Sequence, residues 1–331
     1  MNVEQRVVLM EKLGRYIVSD DAEWAQVKEK ATNENAWFIP EFINYQLEHI
    51  ANAFLNRAKL ENWINRYDLR SASTPKNVGV VMAGNIPLAG FHDFLSVFIS
   101  GHHQTIKPSS KDFQLINGIV NKLKEWNPQI SDRVKIAEQL KKCDAYIATG
   151  SNNSSRYFDY YFSKYPHIIR RNRTSAAILT GGETLQDLEA LADDVYLYFG
   201  LGCRNVTKLY VPKNFDFLPL LESFKKYNWT FDVNKYKNNY DYQLAVMLIN
   251  NIYYMTNGSV LLVENKALFS PVSQLHYEVY ENVKEVEASL LNAEDVQCIV
   301  GKGFVPFGKA QKPAVDDYAD KADTLQFLRS L

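Results

Sequence analysis

The stretch VGVVMAGNIPLAGFHDFLSVFIS, residues 78–100, constrains the fold of this chain more than any other. It is apolar over about the length of a bilayer span, yet Pro87, His92 and Asp93 interrupt its middle, where lipid tolerates them poorly. Its opening run, VGVVMA, is continuous and rich in β-branched residues, the pattern of a strand covered on both faces. GNIPLAG then reads as a turn and the remainder as a helix. A chain with such a segment is expected to build a parallel sheet with helices packed on it, and not a membrane span.

Upstream, about the first 70 residues are helical in pattern. Ser19-Asp20-Asp21 offers an N-cap, Pro40 suits a first helical turn, and Ile43, Leu47, Ile50 and Phe54 share one face that reads as packing. Downstream, strand-like and helix-like segments alternate. HQTIK is a strand, Asp112 to Trp126 a helix, CDAYIAT a strand and about 153–162 a helix. SAAILTG, TKLYVP, GSVLLVEN, SQLHYEVY and VQCIVG continue the strands, with helices near Leu185 to Tyr198, Phe215 to Lys225 and Tyr240 to Tyr254. Two α/β domains with parallel sheets are expected, joined near Arg173.

Composition narrows the function classes. Across 331 residues, 37 basic side chains face 38 acidic ones, so the basic excess that drives phosphate-backbone binding is missing and nucleic acid is not an expected partner. Cys143, Cys203 and Cys298 are too few for a disulfide framework and too widely spaced for a zinc site, so no metal is expected. The N-terminal residues carry scattered charges and no apolar core of a signal peptide, and a cytoplasmic location is expected.

In a doubly wound sheet ligands bind beyond the carboxyl ends of strands. Three turns stand there. GNIPLAG (84–90) offers glycines and the Asn85 amide. IKPSSKD places Lys107 at a strand end with Ser109 and Ser110 after it. TGSNNSSR sets Gly150 and Ser151 at a helix start, where phosphate oxygens are readily held. A fourth segment, FGLGCRN (199–205), puts Cys203 on a glycine-rich turn beside Arg204, and a neighbouring cation favours the thiolate. Cys143 and Cys298 lie in strand-like runs and read as buried, inert thiols. His102 and His103 read as surface loop. The run Arg170 to Arg173 reads as a solvated face, with a role toward coenzyme phosphates as the alternative.

Taken in order, GNIPL, KPSS, TGSNNSSR, GLGCRN, SPVSQLHYE and VPFGK resemble the sequential motifs of the aldehyde dehydrogenase superfamily from about Gly79 to Gly308. Within it they are most similar to acyl-CoA and fatty-acyl reductases of the bacterial bioluminescence type. The resemblance implies an aldehyde-dehydrogenase-like α/β fold of two Rossmann-like domains after an N-terminal helical segment. Its divisions would be 1–173 for the helices and dinucleotide-binding domain, 174–305 for the cysteine domain, and 306–331 for a segment returning to the cofactor domain. It also implies roles: Cys203 as nucleophile, Asn85 as oxyanion donor, Lys107, Ser109 and Ser110 beside the adenosine ribose, and Gly150 with Ser151 at the pyrophosphate.

Two departures from the superfamily pattern shape the expected chemistry. Where hydrolytic members carry a water-activating glutamate, this chain has RRNRTSAAILTG, without an acid. A second glutamate is replaced by Ala267 in KALFSPV. Both fit reduction of an acyl-CoA to an aldehyde with release of coenzyme A. Ser110 stands where NAD-preferring members commonly carry an acid, so NADPH is the expected cofactor, with NADH possible. The family's oligomerisation arm has no obvious counterpart, which suits a monomer or homodimer. Reduction of an acyl phosphate, and nucleotide binding without turnover, stay open as alternatives.

Overall fold

The computed structural model describes residues 1–67, 69 and 74–331. Residues 1–172 with 313–331 form one compact unit and residues 173–312 a second. The helical reading of the first 70 residues reaches positions 68 and 70, which lie outside the described residues.

The first unit begins with helices α1 (Val3–Ile17), α2 (Ala22–Glu34), α3 (Pro40–His49) and α4 (Arg57–Ile64). Their starts follow from local chemistry. Asn2 and Gln5 close a capping box, Asp21 accepts from the Trp24 N–H, and Pro40 occupies the first turn of α3. Ile43, Leu47, Ile50 and Phe54 are all buried, as their spacing requires. The last two belong to a π-helical turn, Ile50–Phe54, closed by the Leu55 N–H on Ile50 O at 3.0 Å.

An alternating part follows: β1 (Asn77–Val81), α5 (Phe91–Ser100), β2 (His103–Lys107), α6 (Phe113–Trp126), α7 (Ile130–Arg133), β3 (Val134–Ile136), β4 (Ala145–Thr149), α8 (Asn152–Phe162) and β5 (His167–Arg170). The strands lie in the order β3-β2-β1-β4-β5, all parallel. The chain builds outward from β1 on one side and resumes at β4 on the other, so strand order reverses between those two. Their carboxyl ends therefore flank the crevice in which such sheets bind ligands. VKI and HIIR are strands that the sequence reading omits, being too short to show a period.

The second unit contains β6 (Thr174–Ile178), α9 (Leu185–Tyr196), β7 (Val206–Pro212), α10 (Leu218–Phe224), α11 (Asn234–Ile249), β8 (Met255–Thr256), β9 (Leu261–Glu264), β10 (Gln274–Tyr280), α12 (Val283–Asn292) and β11 (Val296–Gly301). Its sheet runs β11-β6-β7-β10-β9-β8, parallel except for the antiparallel edge strand β8. Two helix readings need correcting. The Phe215 to Lys225 helix begins at Leu218. The Tyr240 to Tyr254 helix spans 234–249, because the polar NKYKNN start shows no apolar period and Asn251, at φ 52°, ends the run before β8.

Residues 313–331, with α13 (Thr324–Arg329), complete the first unit. Three side chains, the half-buried His92 and the buried His102 and Arg170, tie this segment down by its carbonyls. His92 donates from Nε2 to Val315 O (2.7 Å), Arg170 from Nη1 to Ala319 O (3.0 Å) and His102 from Nε2 to Leu328 O (2.9 Å). The His102 tautomer is fixed because its Nδ1 accepts from the Lys76 N–H at 3.0 Å. His102 is thus a buried structural group and His103 the first residue of β2, and neither is surface loop. No helix among the described residues is long and apolar enough to cross a membrane.

Candidate active site

Lys107 ends β2, and Asn85, Ser109, Ser110, Gly150 and Ser151 stand beyond the carboxyl ends of β1, β2 and β4, three strands adjacent in the sheet. Asn85, Lys107, Ser110 and Ser151 are exposed there, and Ser109 and Gly150 half-buried. The turns interlock. A Cβ on Gly84 would meet Ser109 Oγ and Cβ at 2.6 Å, so only glycine lets the Asn85 turn lie against the KPSS turn. At Gly150 a Cβ would meet Phe158 at 2.8 Å and Ser154 at 2.9 Å, so glycine lets α8 start directly on the end of β4. Ser151 caps α8 by accepting the Ser154 N–H at 3.3 Å. The Lys107 ammonium makes no ion pair among the described residues. Glycine turns, exposed hydroxyls, a cation and a capped helix start are the donor set that a nicotinamide dinucleotide needs.

Cys203 lies in the second unit, on the turn between α9 and β7, and is exposed. The chain enters this turn in an unusual way. Tyr198 and Phe199 have φ of 54° and 56° and Gly200 has 75°, three successive left-handed residues of which two pay a steric cost of roughly 1–2 kcal/mol each. Such strain persists only where the surroundings hold it. Asn205, completely buried, is what holds it. Its Oδ1 accepts the Gly202 N–H at 2.8 Å. Its Nδ2 reaches the carbonyls of Leu197 (2.8 Å), Asp194 (3.1 Å) and Val195 (3.3 Å), which the end of α9 leaves without helical partners. The Ser175 hydroxyl donates to Cys203 O at 3.1 Å. Nothing in the residue types flags Asn205, because its partners belong to the end of a helix several residues upstream.

Asp194 is a second residue that the sequence reading missed. Its Oδ2 accepts from Gly308 N–H (2.7 Å) and its Oδ1 from Ala310 N–H (2.9 Å), so it fastens the VPFGK segment to the helix that leads into the cysteine turn. Burial raises its carboxyl to about 7 against the pull of those two donors.

Two candidates change character. Arg170 is not a solvated residue: it is buried, with Nη2 on Asp93 Oδ1 and on Thr324 Oγ1, both at 2.8 Å. That commitment removes it from any role toward phosphates. Arg171 is exposed and pairs with Asp159 at 3.1 Å. Cys143 is buried as expected, but Cys298 is only half-buried, its Sγ 3.1 Å from Ser175 Oγ. The nearest acid after the RRNRTSAAILTG stretch, Glu183, is held by the Thr180 and Gly181 N–H groups at 2.6 and 2.9 Å.

Residues 17–218 match the family model described as acyl-CoA reductase (LuxC). The long-chain acyl-protein thioester reductase of Aliivibrio fischeri is 25% identical over 171 residues, which cover 46% of this chain and 35% of that protein. The match thus spans about a third of that relative's length. Among solved structures, aldehyde dehydrogenase 21 of Physcomitrella patens, in complex with its product succinate, aligns with 100% of this chain and 84% of its own at 12% identity and a TM-score of 0.70. An oxidoreductase from Marinobacter aquaeolei covers 91% and 73% at 12% identity, with a TM-score of 0.69. The indole-3-acetaldehyde dehydrogenase of P. syringae, solved with NAD+, covers 91% and 72% at 12% identity, with a TM-score of 0.65. At these identities the likeness is one of fold, and the fold is that of the aldehyde dehydrogenases.

Proposed function

The chain belongs to the acyl-CoA reductase (LuxC) family, and from that premise we propose that it reduces an acyl-CoA, or a related acyl thioester, to an aldehyde through an acyl-enzyme on Cys203. The observation that carries this reading is the exposed Cys203 on a left-handed turn that buried Asn205 locks in place. The cofactor unit is taken as residues 1–172 with 313–331, and the nucleophile unit as 173–312.

The Cys203 thiolate attacks the thioester carbonyl carbon. A new carbon–sulfur bond forms, the carbonyl electron pair moves onto oxygen, and its return expels the coenzyme A thiolate, which takes up a proton from solvent. Asn85 Nδ2 and the Cys203 N–H serve as donors to the transient oxyanion, each such donor being worth roughly 3 kcal/mol. A bound reduced nicotinamide supplies the hydride that converts the acyl carbon to an aldehyde and restores the thiolate. Lys107, Ser109 and Ser110 hold the adenosine ribose, and Gly150 with Ser151 the pyrophosphate. NADPH is preferred, because Ser110 removes the negative charge that would repel a 2′-phosphate and Lys107 attracts it.

Water has to be kept from the acyl-enzyme. No acid occurs in residues 170–181, and Glu183 is engaged with its own turn, so this stretch offers no general base to activate water. The test is covalent labelling with radioactive acyl-CoA esters of graded length. Label should stay on the denatured wild type, be released by hydroxylamine, and be absent from Cys203→Ala, while Cys143→Ala and Cys298→Ala keep it. No label on the wild type would leave a nucleotide-binding protein without turnover. Label from an acyl phosphate alone would make the substrate a mixed anhydride.

A further inference from the structure

Asp112 is a buried acid that the reaction above does not use. It precedes α6 at the N-cap, where an aspartate ordinarily accepts an N–H from the helix's first turn. Its side chain makes no such bond. It turns instead beneath GNIPLAG, where Oδ2 accepts the Leu88 N–H at 2.6 Å and Oδ1 is buried with no hydrogen-bond partner. Leu88 has φ 53°, a conformation that a leucine holds only when the surroundings impose it. Packing points the same way, since a Cβ on Gly84 would come within 3.2 Å of Asp112 Cβ. The turn pinned at Gly84 and at Leu88 carries Asn85 between those two points.

The geometry points to Asp112 as a positioning residue for the Asn85 amide: its carboxyl fixes the left-handed Leu88, and through that turn the direction of the Asn85 side chain. This rests on the reading of Asn85 given above. Lys107 and Lys111 on the neighbouring turn are exposed, Asp93 on α5 is committed to Arg170, and Glu34 on α2 reaches Gln114 on α6. Burial accordingly pushes the Asp112 carboxyl well above the usual carboxylate range, and the Leu88 N–H is the one contact that opposes it.

Asp112→Asn keeps the shape and the acceptor for Leu88, whereas Asp112→Ala removes the acceptor. In aldehyde formation the Asn variant should retain kcat within about threefold. The Ala variant should lose about 10- to 100-fold in kcat, the effect of a misplaced catalytic group, with KM for the cofactor changed by less than about twofold. Two measurements do not depend on turnover. Amide exchange at Leu88 should quicken in Asp112→Ala and not in Asp112→Asn, with Ile106 on β2 as the reference. The NMR signals of the Asn85 side-chain amide should shift in the Ala variant alone. Equal damage from Asn and Ala, or Asn85 signals unmoved in Ala, would overturn the proposal. If the Ala variant does not fold, both amides lose protection and an Asn variant with displaced Asn85 signals overturns it. If the wild type makes no aldehyde, the functional reading fails while the Leu88 and Asn85 signals still report on the clamp.

Discussion

At Asn205 a single side chain accepts the Gly202 N–H and caps the carbonyls of Asp194, Val195 and Leu197, so the end of α9 and the cysteine turn share one anchor. Asn205→Ala leaves a buried N–H and several buried carbonyls unmet. It should cost about 3 kcal/mol in denaturant unfolding and slow acylation of Cys203, with Asn205→Asp recovering only the Gly202 contact. That Cys203 stands exposed on a turn was legible, since glycines around a lone thiol with an adjacent arginine form a local signal. Asn205 and Asp194 were not, because their partners lie in other segments. Asp112 was read as the start of a helix, and it is one, but its carboxyl serves another turn. Ser110 offers a further test at this scale. It is exposed, so Ser110→Glu should fold normally and raise the KM for NADPH by about tenfold or more while changing that for NADH little. An equal response to both cofactors would move the preference to another residue.

The elements that were legible are those with a continuous apolar run. HQTIK corresponds to β2 residue for residue, and VGVVMA covers most of β1. Those that were not are short or polar: β3 and β5 are three and four residues long, and α11 opens with lysines and asparagines. The return of the terminal segment was expected from the family resemblance and not from any local pattern, because the groups that hold it, His92, His102 and Arg170, all lie outside it. That attachment carries a pH dependence. Burial depresses both imidazoles below their ordinary value, so below about pH 6.5 the unfolded chain binds more protons than the folded one, and stability falls as pH drops from there. Asp194 acts in the opposite sense in the second unit. Its carboxyl, raised to about 7, retains a proton that the unfolded chain releases from pH 3.8 upward, so its contribution falls as pH rises through that window. Protection factors of the α13 amides should therefore fall between pH 7.5 and 5.5, and fall less in His102→Asn. Protection that is unchanged over this range would show that the imidazoles do not govern the attachment.

For the whole molecule, the order of the motifs along the chain conveyed more than any one of them, because a doubly wound sheet turns sequence order into neighbouring strand ends. The reaction as a whole can be run backward to check the missing water-activating acid. Given aldehyde and oxidised cofactor, product formation should require coenzyme A, with free acid as a trace. Carboxylate formed at the full rate without the coenzyme would indicate hydrolysis. The division of the chain has a consequence for its biosynthesis. Residues 173–312 are contiguous and can assemble as soon as they leave the ribosome, whereas residues 1–172 wait for 313–331 before His92, His102 and Arg170 find their acceptors. The part translated first is thus the part finished last. Until then the apolar surface that Val315, Leu325 and Leu328 cover stays open, so a chain cut short at residue 312 should hold every residue of its second unit while its first unit is cleaved more readily by proteases.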